Sequence, residues 1–171
     1  MNKDYKKSIE LYTDVMNKRI KTLGRDHEKT IATKSSLADC YKLQKNYTKA
    51  IELNTDVLNQ RIEILGKDHQ KTLSTKSNLI TLFQLKSCNI ENIEEFEQSL
   101  IRGFELVGYE DRNMMIALDN LASIYRKDGN TDKAIKFQEK VLSKKIGKEN
   151  KLHPNLLNIM NNLANDYKKI N

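Results

Sequence analysis

Apolar residues return along this chain in a fixed order, 42 residues apart. Leu37-Ala38 with Tyr41 comes back as Leu79-Ile80 with Phe83, as Leu121-Ala122 with Tyr125, and as Leu163-Ala164 with Tyr167. Apolar residues at i, i+1 and i+4 mark one face of a helix. The small residue after the leucine lets a second helix approach, and the aromatic one turn later fills the gap between neighbours. A second pattern lies between these: Tyr47, Ala50-Ile51, Leu53, Val57-Leu58, Ile62 and Leu65. Its first copy is Tyr5, Ser8-Ile9, Leu11, Val15-Met16, Ile20 and Leu23, and its last is Ala134-Ile135, Phe137, Val141-Leu142 and Ile146. The first pattern, A, predicts helices over 28–44, 70–86, 112–128 and 154–169. The second, B, predicts helices over 3–22, 47–64, 91–106 and 131–147.

The links between B and A repeat as well. Leu23-Gly24-Arg25-Asp26-His27-Glu28-Lys29-Thr30 returns as Leu65-Gly66-Lys67-Asp68-His69-Gln70-Lys71-Thr72, and Gly108 and His153 keep the same register. A fixed period of this length means stacked supersecondary units, none of which buries its apolar face alone. Such architecture points to binding rather than chemistry. The glycines stand where a helix ends in a left-handed residue. Asp26 and Asp68 are placed to accept backbone N–H groups as the next helix opens. Pro154 suits a first-turn position, and Asp128-Gly129-Asn130 reads as a tight turn. Short links require consecutive helices to pack antiparallel.

Composition narrows the class. The chain of 171 residues is 38% hydrophobic and 31% charged with a single proline, Pro154, which describes an ordered helical chain and not a disordered one. The net charge of +7 comes from 30 basic against 23 acidic residues, a moderate excess that is a weak case for nucleic acid. Cys40 and Cys88 occupy different phases of the repeat and read as free thiols in a reducing, cytoplasmic compartment. No apolar stretch follows the charged start, so no signal peptide is read, and no run reaches membrane-span length. Asn46-Tyr47-Thr48 fits a glycosylation triplet by chance.

The pattern resembles the tetratricopeptide repeat, in the 42-residue form found in kinesin light chains. The residues that carry the resemblance are Leu65-Gly66 with His69 and Thr72, His153-Pro154, Asn161-Asn162-Leu163-Ala164 with Tyr167, and the shorter Asn120-Leu121-Ala122 with Tyr125. Proline is absent from three of the four links, where Glu28, Gln70 and Arg112 stand. The resemblance implies an all-α, right-handed superhelical solenoid of about eight helices in antiparallel pairs. It spans 1–171 as one solenoid: a B helix over 3–22, repeats over 28–64, 70–106 and 112–147, and a terminal A helix over 154–169. It also implies a concave groove lined by the A helices. By that resemblance the groove residues are Ser35, Asp39 and Lys42, with Ala32 above them; Ser77, Thr81 and Gln84, with Ser74; Asp119, Ser123 and Arg126, with Ile116; and Asn161, Asn165 and Lys168, with Asn158. Asn78, Asn120 and Asn162 stand at its edge. Amide and hydroxyl groups of this kind hydrogen-bond an extended peptide, and Lys42, Arg126 and Lys168 attract an acidic one. The same positions also fit an ordinary solvated face.

One unit departs from the pattern. Asn92 stands at the phase of Ala50 and Ala134, opposite Ile80, which predicts a bulkier helix crossing. The stretch 91–111 is acidic, through Glu91, Glu94, Glu95, Glu97, Glu105, Glu110 and Asp111 against Arg102. It reads either as drift in a solvated helix or as an outer patch for a second partner.

No catalytic constellation is found, and no catalytic, cofactor or metal site is expected. His27, His69 and His153 recur one repeat or more apart, about 10 Å for packed helices, so they cannot share an ion and belong to the links. The phosphate-loop frame is absent around Gly66-Lys67, and Ile31 replaces the second histidine of a His-Glu-x-x-His helix. Cys40 reads as a small hydrophobe. The first B helix has no A partner before it and the last A helix no B after it, leaving Leu156, Leu163 and Tyr167 without their usual cover. The expectation is a piece of a longer array or an end-to-end self-associating chain. The functional expectation is a non-catalytic adaptor or scaffold holding a peptide or helix of a protein partner. The alternatives are a structural scaffold that self-associates through its ends and, more weakly, a nucleic-acid-binding helical repeat.

Overall fold

The computed structural model describes residues 5–88, 90, 92–108, 111–146 and 154–170, all of its regular structure helical. Eight helices follow in chain order: α1(Tyr5–Leu23), α2(Glu28–Leu43), α3(Tyr47–Leu65), α4(Gln70–Ser87), α5(Ile93–Val107), α6(Arg112–Lys127), α7(Thr131–Ile146) and α8(Pro154–Ile170). Each begins and ends within two residues of the span read from the apolar pattern. Odd-numbered helices carry pattern B and even-numbered ones pattern A. The chain forms two compact units that divide inside α4, one up to Leu82 and one from Phe83.

In the first unit α2 packs between α1 and α3. Its buried apolar residues are Ile31, Leu37 and Ala38 of α2, Ala50, Ile51, Val57 and Leu58 of α3, and Leu79, Ile80 and Leu82 of α4. Ala38 and Ala50, at the small-residue phase of each pattern, are both fully buried. Cys40 is buried beside this core, Cys88 is exposed, and both are free thiols. In the second unit α6 packs on α5, α7 and α8. Here the core is aromatic: Phe83, Phe96, Phe104 and Phe137 are buried along with Leu100, Met114, Leu118, Leu121 and Ala134. The Phe83 and Phe96 rings are tilted at 57° with centroids 6.4 Å apart.

The links correct the expectation that aspartates cap the A helices. His27 is the N-cap of α2, its Nδ1 accepting from the Lys29 N–H at 3.1 Å. His69 makes the same contact with the Lys71 N–H at 3.1 Å. The next copy of this phase is Asp111, whose carboxylate accepts from the Asn113 and Met114 N–H groups. The recurring histidine phase is therefore an N-cap phase, where any short acceptor side chain serves. Asp26 accepts instead from Gln60 Nε2 at 2.7 Å. His153 lies outside the described residues. The glycines before these caps also differ from a left-handed helical cap. Gly66 and Gly108 have φ of 87° and 95° but ψ of 162° and 166°, an extended mirror-image region that is essentially glycine's alone.

The links from A to B close in another way. After α6 the Gly129 N–H bonds Arg126 O and the Asn130 N–H bonds Tyr125 O, with Gly129 at φ 75°. This paired closure satisfies the last carbonyls of the helix. After α2 the Lys45 N–H bonds Lys42 O and the Asn46 N–H bonds Tyr41 O. The positive-φ position is then a lysine, Lys45 at 64°.

Asn92 overturns the expected bulky crossing. It is not inside a helix but caps α5, its side chain accepting from the Glu95 N–H at 3.0 Å. Within the acidic stretch, whose Glu91 and Glu110 lie outside the described residues, several carboxylates are put to structural use. Glu94 and Glu95 occupy the first turn of α5, where the helix dipole favours them, Glu97 accepts from the Tyr125 hydroxyl at 2.6 Å, and Asp111 caps α6. Burial and the Glu97 contact push the Tyr125 phenol well above its ordinary range.

Candidate functional site

The groove residues expected from the sequence lie on α2, α4, α6 and α8, and the two units treat them differently. In the first unit Asp39, Ser77, Asn78 and Thr81 are exposed and Lys42 is half-buried. Thr81 Oγ1 turns back to Ser77 O at 3.0 Å. The Ser35 hydroxyl is buried without a hydrogen-bond partner among the described residues. Ala32 and Ser74 are exposed as well.

In the second unit several of the corresponding positions are engaged with neighbouring side chains. Asn162 Nδ2 donates to Asp119 Oδ1 at 3.1 Å, and Asn120 Nδ2 donates to Ser87 Oγ at 2.9 Å. Arg126 Nε lies 2.8 Å from both oxygens of Asp166, a carboxylate that is nearly fully buried. Arg126 is thus the counter-ion of a buried acid on α8. Lys42 and Lys168 form no ion pair among the described residues. Loss of water around Asp119 raises its carboxyl above the ordinary range, partly offset by Asn162 and Arg126. Gln84 and Ser123 are half-buried, and Asn161, Asn165 and Lys168 are exposed.

A cavity of about 530 Å³ opens in the first unit, where the end of α3 meets the starts of α2 and α4. Ala32 and Ser74, which belong to the expected groove, line it, together with Ile31, Ile64, Leu65, Arg61 and Lys71. Its polar wall escaped the sequence reading. Arg61 Nη1 donates to Lys71 O at 3.1 Å and to Thr75 Oγ1. One repeat earlier Arg19 Nη1 donates to Lys29 O at 2.9 Å and to Thr33 Oγ1 at 2.5 Å. The 42-residue recurrence of this Arg–Thr pair was present in the sequence but carries no apolar signal. Lys34 is also buried, donating to Asp56 at 2.5 Å and to Gln60 Oε1 at 2.8 Å. Lys71 of α4 reaches back to Glu28 of α2 as an ion pair, which lowers the Glu28 carboxyl below its ordinary range.

Among the described residues no group of three His, Cys, Asp or Glu side chains could hold a metal ion. No described helix is long and apolar enough to cross a membrane.

Residues 1–63 and 110–171 match the family model of the tetratricopeptide repeat. The chain belongs to the tetratricopeptide repeat family. Proteins of this family generally act as scaffolds for protein–protein interaction. The tetratricopeptide match passes over α4 and α5, the stretch where Asn92 opens its helix late. No curated protein matches the chain. Among solved structures, the nearly identical TPR-like repeats described as a kinesin light chain of Podosopora anserina are 22% identical. They cover 98% of this chain and 79% of that one, with a TM-score of 0.47. A single-residue variant of that protein gives 21%, the same coverage and a TM-score of 0.48. BtubC (BKLC) from P. vanneervenii is 17% identical over 88% of this chain and 59% of that one, with a TM-score of 0.44.

Proposed function

We propose that this tetratricopeptide repeat chain is a non-catalytic interaction module that holds a peptide or helical segment of a partner protein against the polar faces of its A helices. One observation carries this reading. The A-helix positions that the repeat does not fix remain open in the first unit, at Asp39, Ser77, Asn78 and Thr81, and beside them the chain leaves a cavity of about 530 Å³. Open amide and hydroxyl groups beside a concave apolar wall are what an extended segment uses, backbone on the polar groups and side chain in the cavity.

The test is affinity capture with the intact chain, followed by mass spectrometry, repeated with Lys42→Glu and Lys168→Glu. Both lysines are unpaired among the described residues, so charge reversal leaves melting unchanged while capture of an acidic partner falls. Arg126 is unsuited to this test because its reversal strands buried Asp166. Equal capture by wild type and both variants counts against the groove.

A second reading, a structural scaffold, is favoured by one observation in each unit. Val15 of α1 is 37% exposed, whereas Val57 and Val141 at the same repeat phase are 0% and 2% exposed. On α8, Met160 and Tyr167 are exposed, whereas Leu118 and Tyr125 at the same phases are buried. Leu163 is half-buried, and the Leu156 side chain lies outside those described. A neighbouring helix that covers either face would complete a hairpin. Light scattering across a concentration series distinguishes the readings: a monomer at every concentration removes self-association.

A further inference from the structure

The cavity of the first unit is lined by two cations, Arg61 and Lys71, and two carboxylates, Asp26 and Glu28. Arg61 is half-buried at its edge, with Nη1 committed to Lys71 O and Thr75 Oγ1 and no carboxylate within ion-pair distance among the described residues. Burial lowers the affinity of its guanidinium for the proton, and the opposing influence is the nearby charge of Glu28. Glu28 is itself paired with Lys71 and feels the charge of Arg61. One carboxylate of the protein's own therefore serves two cations at the rim of a cavity. Its other wall is aliphatic: Ile31 below, with Ile64 and Leu65 at 50% and 40% exposure. Asp26 also lines the cavity, but it is engaged by Gln60, so the wall suited to an acid is that of Arg61 and Lys71.

The Glu28–Lys71 pair is exposed on both sides, at 74% and 51% of the side chain. A pair this open to solvent is weak. It neutralises the cations without locking them.

We infer that this cavity is an anchor site for a partner segment presenting an aliphatic side chain next to a carboxylate, and that Glu28 is the internal occupant of the carboxylate position, displaced when the partner binds. This rests on the interaction-module reading above and assigns its site a ligand chemistry and a built-in competitor. Apolar burial supplies the drive, and exchange of one carboxylate for another on Lys71 and Arg61 supplies the selectivity. Because the internal carboxylate is tethered, it discriminates against segments that bring an aliphatic residue without an acid: those leave Glu28 in place and crowd it.

The probe is a fluorescein-labelled Gly-Ala-Leu-Glu-Ala-Leu-Glu-Ala-Gly amide, with glutamine replacing both glutamates in its control, read by polarisation against the full chain. Glu28→Gln is expected to bind the acidic peptide about 5-fold tighter than wild type. Lys71→Gln binds it more weakly, and Ile64→Ser, a change at an exposed position, weakens both peptides. The glutamine peptide gains no preference for Glu28→Gln over wild type. Equal affinity of wild type and Glu28→Gln for the acidic peptide overturns the inference, as does an equal gain for both peptides. If neither peptide binds while partner capture persists and depends on Lys42 or Lys168, this inference falls and the interaction module stands. If capture fails as well, both fall.

Discussion

The two units fill the same repeat positions with opposite chemistry. In the first, Arg61 of α3 clamps Lys71 O and Thr75 at the start of α4, and Lys34 of α2 is buried on Asp56 and Gln60. One repeat on, Arg61 becomes Gly103 and Thr75 becomes Ala117; two repeats beyond Lys34 stands Leu118, fully buried. A Cβ at Gly103 would lie 2.3 Å from Phe83 Cε2 and 3.0 Å from Met114 Cε, so the aromatic ring occupies the space that a side chain at this phase would need. All four phenylalanines of the chain belong to the second unit. A helix junction of this repeat can thus be closed by a guanidinium on backbone and hydroxyl oxygens or by a ring against a bare backbone. The polar closure leaves a cavity and spare charge at the surface, whereas the apolar one consumes its positions in packing. The candidate site of the first unit lies at the polar closure.

Exchanging the two solutions tests the contrast most severely. Leu118→Lys buries a charge without a partner and is expected to cost about 3–5 kcal/mol, seen as loss of the cooperative unfolding transition. The reciprocal Lys34→Leu is expected to cost no more than about 1 kcal/mol, because Asp56 is half exposed and stays hydrated. Equal damage from both would erase the distinction.

Next in size are the closures themselves. Arg61→Ala is expected to cost about 1.5–3 kcal/mol, the range for hydrogen bonds from a charged donor. A double-mutant cycle with Thr75→Ala then shows a coupling energy in urea denaturation, and additivity would show that the two do not act as a clamp. Gly103→Ala is expected to destabilise by about 1–3 kcal/mol through overpacking against Phe83, although alanine is the better helix former by about 1 kcal/mol. A smaller effect separates the A-to-B turns. Lys45→Gly relieves a left-handed lysine and is expected to raise stability by about 1 kcal/mol, while Gly129→Lys loses a similar amount. No change at Lys45 in the urea midpoint would mean that the turn tolerates its strain.

The smallest is a titration. Asp119 holds its proton to higher pH when folded than when unfolded, because burial disfavours its charge. Its ionisation therefore opposes folding as pH rises through the carboxylate range. Asp119→Asn keeps an acceptor for Asn162 and is expected to raise the urea midpoint near about pH 7 but not near about pH 3. A gain of equal size at both would assign the effect to packing instead.

What the sequence made legible follows from what repetition can reveal. Helix spans were readable because each apolar stripe is written several times, and His27 and His69 announced a structural phase before its capping role was visible. Arg19 and Arg61 were repeated just as faithfully, yet a reading tuned to apolar periodicity passed over them. The Arg126–Asp166 pair and the Asp119–Asn162 bond join side chains on α6 and α8, and no local pattern predicts which polar positions of successive A helices will meet. Asn92 was placed by phase inside a helix that in fact begins after it. Phase fixes position in the repeat, and only the local competition between cap and helix decides where the helix starts.

The two cysteines, finally, make the chain its own reporter. Each unit carries one thiol: Cys40, buried and with its ionisation suppressed by that burial, and Cys88, open to solvent. An alkylating reagent consumes Cys88 at the chemical rate but reaches Cys40 only when α2 lifts from its neighbours. The ratio of the two labelling rates measures how often the first unit breathes, without any introduced probe. Occupation of its cavity by a ligand would register as a slowing at Cys40 alone.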